Sequence, residues 1–275
     1  MRLRTPMALN AAGWLSLLAT ASAQPPRVGS VLNCTPGTIS GSYGYVNSGF
    51  IAAVPYAEYG QFAADGKGSF AGSSTVSVGG AIAARVLSGN YTMTAACTGI
   101  SVFQDSLGNV AHFTFTVDGN GSAIEFVQTD SGTVVSGQAQ HFASACDASA
   151  FSGPYTYATS GWLAAFGTYV PTADAGRFVT DGKGGFTGKS TFSAAGVVGQ
   201  RTFSGAYSIK SGCSGTVALT DSVGNAVTLA VSLVNNGQEI LFIQTDAGTV
   251  ASGRARRGQL TSGFPHCRRE TTPWF

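Results

Sequence analysis

An internal repeat constrains this chain more than any other feature of its sequence. Residues 64–140 and 180–256 align without a gap at an offset of 116, and 33 of the 77 aligned positions are identical. The clearest matches are Asp65-Gly66-Lys67-Gly68 with Asp181-Gly182-Lys183-Gly184, and Gln128-Thr129-Asp130 with Gln244-Thr245-Asp246. A repeat of this length predicts two copies of one structural unit, each of roughly 110 residues and large enough for its own core.

Four of the five cysteines follow the repeat. Cys34 corresponds to Cys146 and Cys97 corresponds to Cys213, with spacings of 63 and 67 residues. The difference of four matches an insertion near residues 162–175 that the alignment also requires. The duplication therefore predicts one disulfide per copy, Cys34–Cys97 and Cys146–Cys213. The cysteine and histidine spacings of a metal site are absent.

The N-terminus has the pattern of an export signal. Arg2 and Arg4 precede an apolar run from about Met7 to Ala19, and Ala21-Ser22-Ala23 fits a signal-peptidase site. We expect cleavage of 1–23 after Ala23, a short leader over 24–33, and a secreted or periplasmic protein, where disulfides persist. An uncleaved anchor is the alternative. No later stretch is long and apolar enough to predict a spanning helix.

The C-terminal segment carries an odd cysteine and an excess of positive charge. Between residues 34 and 253 seven Lys and Arg stand against twelve Asp and Glu, a net charge near −5, whereas five arginines follow residue 253. A basic tail over 257–275 can bind an anionic surface. Without interleaved aromatic residues it favours a solvated end, and we expect no nucleic-acid partner. Cys267 is either free or able to form an intermolecular contact.

Each copy has the pattern of an all-β protein, in which alternating or apolar runs are separated by Gly, Asn and Asp clusters. In copy one, over 34–140, the runs predict eight strands: Gly41–Ala52, Tyr56–Ala64, Gly68–Val78, Ile82–Thr94, Thr98–Asp105, Val110–Val117, Ala123–Thr129 and Thr133–Gln140. Connections this short join antiparallel neighbours. Copy two, over 146–256, is expected to follow the same plan.

Eight sequential antiparallel strands predict two tandem closed up-and-down β-barrels, with β-sandwiches as the alternative. An eight-stranded barrel is either filled by side chains or holds one small ligand. Val227–Leu233 and Ile240–Ile243 are apolar on both faces. Their outer face therefore needs cover, which the sister copy can supply. An outer-membrane barrel is disfavoured because residues 267–273 do not alternate as a lipid-facing strand should.

The inventory of catalytic residues is thin. His112 has Thr228 at the corresponding position of copy two, so the repeat supports neither a histidine-dependent triad nor a metal centre, and no cofactor is expected. Asp65-Gly66-Lys67-Gly68 lacks the spaced ligands and distal Glu of a calcium loop, and a hairpin turn is expected. Asp105 and Asp130 are expected to accept hydrogen bonds from their own turns.

Polar residues within the strands are the better candidates for a site, because on the pleat Gln128 shares a face with Ile124 and Phe126. If that face lines the barrel, its polar groups can orient a ligand. The alternative is that they only satisfy one another or the backbone. The predicted ligand-binding residues are Gln128, Gln244, Arg85, Arg201, Tyr43, Tyr45, Tyr155 and Tyr157.

A set of motifs resembles a group of exported bacterial β-proteins with no established activity. The motifs are Ser40-Gly41-Ser42-Tyr43-Gly44-Tyr45, Asp65-Gly66-Lys67-Gly68-Ser69-Phe70, Ser88-Gly89-Asn90-Tyr91-Thr92 and 126–134, with Phe242-Ile243-Gln244-Thr245-Asp246 in copy two. The resemblance covers both copies but neither the signal segment nor the tail. In outline the units are also similar to the eight-stranded barrel of the allene oxide cyclase type, and no catalytic residue carries over from that likeness.

Three hypotheses about function follow. The leading one is a non-enzymatic exported protein that binds a small apolar ligand or acts as a structural module. The second is an isomerase or cyclase of an apolar substrate, in which binding geometry does most of the work. The third is a cell-surface adhesion module, suggested by tandem β-units of low charge.

Overall fold

The computed structural model describes residues 33–142, 146–165 and 167–258. The predicted signal peptide, nearly all of the leader, Cys267 and the tail beyond residue 258 lie outside the described residues. No helix among the residues described has the length and hydrophobicity needed to cross a bilayer.

Two closed eight-stranded antiparallel barrels form the fold, as predicted, and the sandwich alternative is wrong. Barrel 1 consists of β1 Ser40–Ile51, β2 Val54–Asp65, β3 Ser69–Val78, β4 Ala81–Met93, β5 Thr98–Asp105, β6 Val110–Val117, β7 Ala123–Gln128 and β8 Thr133–His141. Barrel 2 consists of β9 Ser152–Ala165, β10 Thr168–Asp181, β11 Gly185–Ala194, β12 Val197–Ile209, β13 Ser214–Asp221, β14 Ala226–Val234, β15 Glu239–Gln244 and β16 Thr249–Arg257. Each strand pairs with its sequence neighbours, and β8 and β16 close on β1 and β9.

The four-residue insertion lengthens one hairpin of barrel 2. Strands β9 and β10 have 14 residues each, whereas β1 and β2 have 12 each. The pairing runs without interruption from Asp181↔Ser152 to Thr168↔Ala165. The insertion therefore extends the wall of the barrel by two residues on each strand.

One end of each barrel, here called the disulfide end, is closed by a short 3-10 helix and by tyrosine hydroxyls. The disulfides Cys34–Cys97 and Cys146–Cys213 are both present, as predicted. In barrel 2 the Tyr207 hydroxyl donates to the Phe151 carbonyl at 2.8 Å, below the helix Ala148–Ala150. Tyr91 makes the equivalent bond in barrel 1, to the Ile39 carbonyl at 2.8 Å. The opposite end of each barrel, here called the distal end, carries the β1–β2 and β9–β10 turns.

The outer faces of the two barrels pack against each other. Tyr59 on β2 donates its hydroxyl to the Val231 carbonyl at 2.7 Å and shares a buried apolar cluster with Leu233 and Leu241. Gly44 permits the close approach, because a Cβ there would lie 2.6 Å from Ser232 Oγ. The sister copy therefore covers strands that are apolar on both faces, as the sequence predicted.

Loss of one disulfide is expected to destabilise its barrel. In the chain-entropy model, closing a loop of this size is worth about 4 kcal/mol. We expect the double variant Cys34→Ser/Cys97→Ser to lower the free energy of unfolding by about 2–4 kcal/mol, measured by urea denaturation. Cys267→Ser leaves both disulfides intact and is the matched control. Equal stability of the double variant and the control would contradict the prediction.

Candidate ligand-binding site

The two barrels enclose interiors of different size. The cavity in barrel 1 measures about 90 Å³, and the cavity in barrel 2 measures about 420 Å³. A pocket that holds a small molecule usually measures roughly 300–1,000 Å³, so only the second cavity reaches that range.

Substitutions at the distal end explain the difference in volume. In barrel 1, Tyr56, Val76 and Val135 form a small core, here called the distal plug, against which Ile51 and Ala83 pack. The residues at the repeat-related positions of barrel 2 are Thr172, Phe192 and Ala251. Thr172 and Ala251 are smaller than their counterparts, and all three line the cavity. The lumen of barrel 2 is open where the lumen of barrel 1 is filled.

A buried ionic network crosses the lumen of barrel 1. Arg85 pairs with Glu58 at 2.7 Å and with Asp105 at 2.8 Å, and the side chain of Glu58 is only 1 % exposed. Tyr45 and Tyr56 donate hydroxyl hydrogen bonds to Glu58 at 2.8 and 2.6 Å. Burial and the charge of Glu58 raise the pKa of both tyrosines well above the usual value, which keeps them protonated donors.

Barrel 2 keeps this network in a more open form. Arg201 pairs with Asp221 at 2.8 Å and with Asp174, which also accepts from the Tyr157 hydroxyl at 3.2 Å. The Arg201 side chain is 20 % exposed, against 8 % for Arg85. Because Thr172 replaces the tyrosine of barrel 1, the guanidinium forms part of the cavity wall beside the ring of Phe192.

The polar groups in the wall of this cavity are concentrated toward its distal end. On β10 the inward positions run from Thr172 and Asp174 near the distal end to Phe178 near the disulfide end. The polar groups of the lining lie in its distal part, among apolar residues such as Leu163, Phe192 and Val227; they are Thr159, Thr172, Asp174, Arg201, Asn225, Gln244 and Asp246. The part toward the disulfide end is apolar: Phe151, Phe178, Phe186, Phe203, Val217, Val231, Ile240 and Phe242. Asn225 and Ala226 in the lining are exposed, which places the mouth of the cavity at the distal end.

The structure separates the predicted tyrosines into two groups. Tyr45 and Tyr157 face the two cavities and join the ionic networks. Tyr43 and Tyr155 are 1 % exposed and donate to backbone carbonyls at the disulfide end, at 2.7 and 2.8 Å. Burial raises the pKa of each of these two hydroxyls to about 12. Their geometry is that of closing groups below the cavity.

The predicted glutamines lie at the distal rim. The Gln128 and Gln244 side-chain amides each donate to the aspartate two residues later, Asp130 and Asp246, at 2.8 Å. Neither side chain pairs with the arginine of its barrel. Gln244 lines the cavity of barrel 2, and its ligand-binding role stays a prediction.

Both turn aspartates accept hydrogen bonds within their own turns, as expected, but through different groups. Asp105 accepts from the backbone of its own turn, at Leu107 and Asn109, both at 2.9 Å, as expected. Asp130 also accepts within its own turn, through its backbone carbonyl, from Thr133 Oγ1 at 2.6 Å and Thr133 N at 3.3 Å. Its carboxylate accepts instead from the backbone N–H of His112 on β6, at 2.9 Å, and from Gln128. Because the backbone N–H of residue 112 makes this bond, the side chain there can differ between the copies, and Thr228 makes the same bond in barrel 2.

Sequence reasoning missed the acidic pair Glu58 and Asp174. The offset of 116 relates them, but they lie outside the aligned block, beside the insertion. The available signal was a carboxylate at an inward position of the second strand of each copy, because a buried charge requires a partner. Within the residues described, no group of three or more His, Cys, Asp and Glu side chains has the geometry of a metal site.

Comparison with protein-family models and with curated sequences identifies no relative. No protein-family model matches the chain, and a search of curated protein sequences gives no significant match. That the chain belongs to the group of exported β-proteins it resembles therefore stays a prediction. The site has to be interpreted from its own geometry.

Removal of the buried carboxylate is expected to cost more in barrel 1 than in barrel 2. Loss of one partner of a buried ion pair typically costs about 3–5 kcal/mol, whereas exposed pairs contribute about 1 kcal/mol or less. We expect Glu58→Gln to lower the free energy of unfolding by about 3 kcal/mol, measured by urea denaturation. Asp174→Asn should lower it by about 2 kcal/mol, because the Arg201 partner of Asp174 is 20 % exposed against 8 % for Arg85. Equal losses would contradict the different burial of the two networks.

The stability of barrel 2 is expected to fall in acid through Asp221. Burial opposes ionisation of this carboxyl, but hydrogen bonds from Asn225, Arg201 and the backbone outweigh burial and lower its pKa to about 2. Because the pKa of Asp221 is lower in the folded state, its ionised carboxylate stabilises the fold at pH values above the ordinary pKa of 3.8. That contribution to the free energy of unfolding is lost as the pH falls toward 2. Asp221→Asn should therefore remove about 2 kcal/mol of the change in unfolding free energy between about pH 4 and pH 2. An unchanged pH dependence in acid denaturation would contradict this assignment.

Proposed function

We propose that the protein binds a small, mostly apolar molecule in the lumen of barrel 2, and that barrel 1 is a supporting structural unit. The observation that carries the proposal is the difference between the two copies of one fold. The distal plug fills barrel 1, whereas its absence leaves a cavity of about 420 Å³ in barrel 2. Because the scaffold is shared, the open lumen is a property of a few substituted residues rather than of the fold.

The form of the cavity supports a binding role. It is closed at the disulfide end by Phe151 and Tyr207, is lined by aromatic and aliphatic groups in its depth, and has its polar groups near its mouth. Small-molecule sites combine an apolar body with a few polar groups that orient the ligand. The two disulfides support an exported protein in an oxidising compartment.

The packing of the barrels supports the structural role of barrel 1. Its β1 and β2 cover the outer face of β14 and β15, through Tyr59 and the outward side chains of Val234 and Leu241 in the same buried cluster. Ser77 on β3 also donates to the Thr249 carbonyl, at 2.6 Å. Barrel 1 therefore holds the strands that form one wall of the open lumen.

An isomerase or cyclase is the second candidate, favoured by one observation. Tyr157, Asp174 and Arg201 all line the lumen, where that hypothesis requires its polar groups. These groups are already hydrogen-bonded within the network that includes Asp221. A catalytic role would require these groups to exchange their present hydrogen bonds for bonds to a substrate, whereas a binding role does not.

Transfer of the distal plug into barrel 2 is expected to weaken ligand binding strongly. We expect the triple variant Thr172→Tyr/Phe192→Val/Ala251→Val to fill the lumen as barrel 1 is filled, with the introduced tyrosine hydroxyl able to join Asp174 and Arg201. The probe is N-phenyl-1-naphthylamine, a neutral apolar fluorophore. The wild-type chain should bind one equivalent, and the variant should bind at least about tenfold more weakly, a loss of about 1.4 kcal/mol or more.

Two controls accompany this experiment. Val134→Thr replaces a methyl group by a hydroxyl group on a side chain of barrel 1 that is 74 % exposed, and it should leave binding unchanged. Circular dichroism and urea denaturation must show that the triple variant is folded. No binding by the wild-type chain, or undiminished binding by the folded triple variant, would refute the proposed lumen site. Native mass spectrometry of the purified protein would show any ligand that is retained.

A further inference from the structure

The charges around the lumen of barrel 2 favour one kind of polar group on a ligand. Among the described residues that line the cavity, Arg201 is the only Lys or Arg, whereas Asp174 and Asp246 both contribute carboxylates. Asp221 lies behind the guanidinium and pairs with it at 2.8 Å. One arginine and three aspartates together carry a net charge of −2.

Arg201 is poorly placed to bind an anionic ligand. Its Nη1 donates to Asp221, its Nη2 donates to Asp174, and its Nε is directed to Ser190 Oγ at 3.4 Å. A carboxylate is bound strongly by arginine when two parallel N–H donors are free. Here each terminal nitrogen already donates one N–H to a carboxylate of the protein, and these two carboxylates offset the charge of the guanidinium before any ligand binds.

Asp246 at the rim of the cavity retains acceptor capacity. Its Oδ2 accepts from the Thr228 backbone at 3.0 Å and from Gln244 at 2.8 Å. In barrel 1 the other oxygen of the equivalent Asp130 pairs with the His112 ring at 2.6 Å. Thr228 replaces that histidine, and no described residue donates a hydrogen bond to Asp246 Oδ1.

The position of these charges determines how a ligand would lie. The carboxylates are at the distal part of the wall, toward the mouth, and all the aromatic groups except Phe192 and Tyr157 are in its depth. A ligand with one polar end therefore places its apolar part toward Phe178 and Phe242 and its polar end at the mouth. A cation at the mouth keeps part of its hydration while it meets a net negative charge, so its desolvation cost is limited.

We infer that the lumen of barrel 2 selects apolar molecules that carry a protonated amine, and disfavours molecules that carry a carboxylate. This inference rests on the proposed function and names the class of ligand for the same cavity. Exposed charge pairs of either sign change binding by several-fold each. A matched amine and carboxylate should then differ in affinity by at least about tenfold.

The test uses three probes of equal chain length: decylamine, 1-decanol and decanoate. Each probe competes with N-phenyl-1-naphthylamine for the full-length protein at neutral pH and low ionic strength. Every probe is used below the concentration at which it forms micelles. Decylamine should displace the fluorophore at a concentration at least about tenfold lower than decanoate does, with 1-decanol between them. Added salt should reduce the difference, because the charges at the mouth are screened by ions.

Two matched variants assign the selectivity to the rim. Asp246→Asn should reduce the advantage of decylamine over decanoate by about threefold or more, with little effect on 1-decanol. Asp130→Asn makes the same change at the equivalent position of barrel 1 and should leave all three probes unaffected. The triple variant that carries the distal plug should bind none of them in its lumen.

The outcomes separate this inference from the proposed function. Displacement by decanoate at the same or a lower concentration than decylamine would overturn the inference, while the lumen would still be shown to bind apolar molecules. An advantage of decylamine that persists in full in Asp246→Asn and at high salt would also overturn it. Absence of fluorophore binding by the wild-type chain would instead refute the proposed function itself.

Discussion

A guanidinium held between two carboxylates inside each barrel is the interaction on which the interior depends. Arg85 lies between Glu58 and Asp105, and Arg201 lies between Asp174 and Asp221. A buried charge without a partner is too costly to keep, so each arginine fixes the positions of strands β2 and β10 and of the turns after β5 and β13. The same residues define the polar part of each lumen.

The two copies share this network and differ in what surrounds it. In barrel 1 the distal plug and the tyrosines around Glu58 exclude solvent, and the interior is a core. In barrel 2 smaller groups leave the arginine at the edge of a cavity. Duplication permits this divergence. Barrel 1 still covers the outer face of β14 and β15, so barrel 2 stays folded although the side chains that would fill its lumen are smaller.

Much of the fold followed from local pattern. The predicted strands of copy one agree with the observed ones to within about two residues, and Thr98–Asp105 and Val110–Val117 agree at both ends. The disulfides also followed, because the repeat paired the cysteines. The sequence missed bonds between distant residues. The carboxylate of Asp130 bonds to β6 in addition to the bonds that its carbonyl accepts within its own turn, and the partners of Arg85 on β2 and β5 were not identified.

The sequence by itself determined two barrels, their strand order and their covalent links, because the period-two alternation, the turn residues and the repeat are all local or internal comparisons. Only the tertiary structure decided which barrel is filled and which is open. The volume of a lumen depends on side chains from eight strands that meet at one level of the barrel, and residues such as Tyr56, Val76 and Val135 are far apart in the chain. Their replacement by Thr172, Phe192 and Ala251 has no visible consequence until closure of the sheet brings them together.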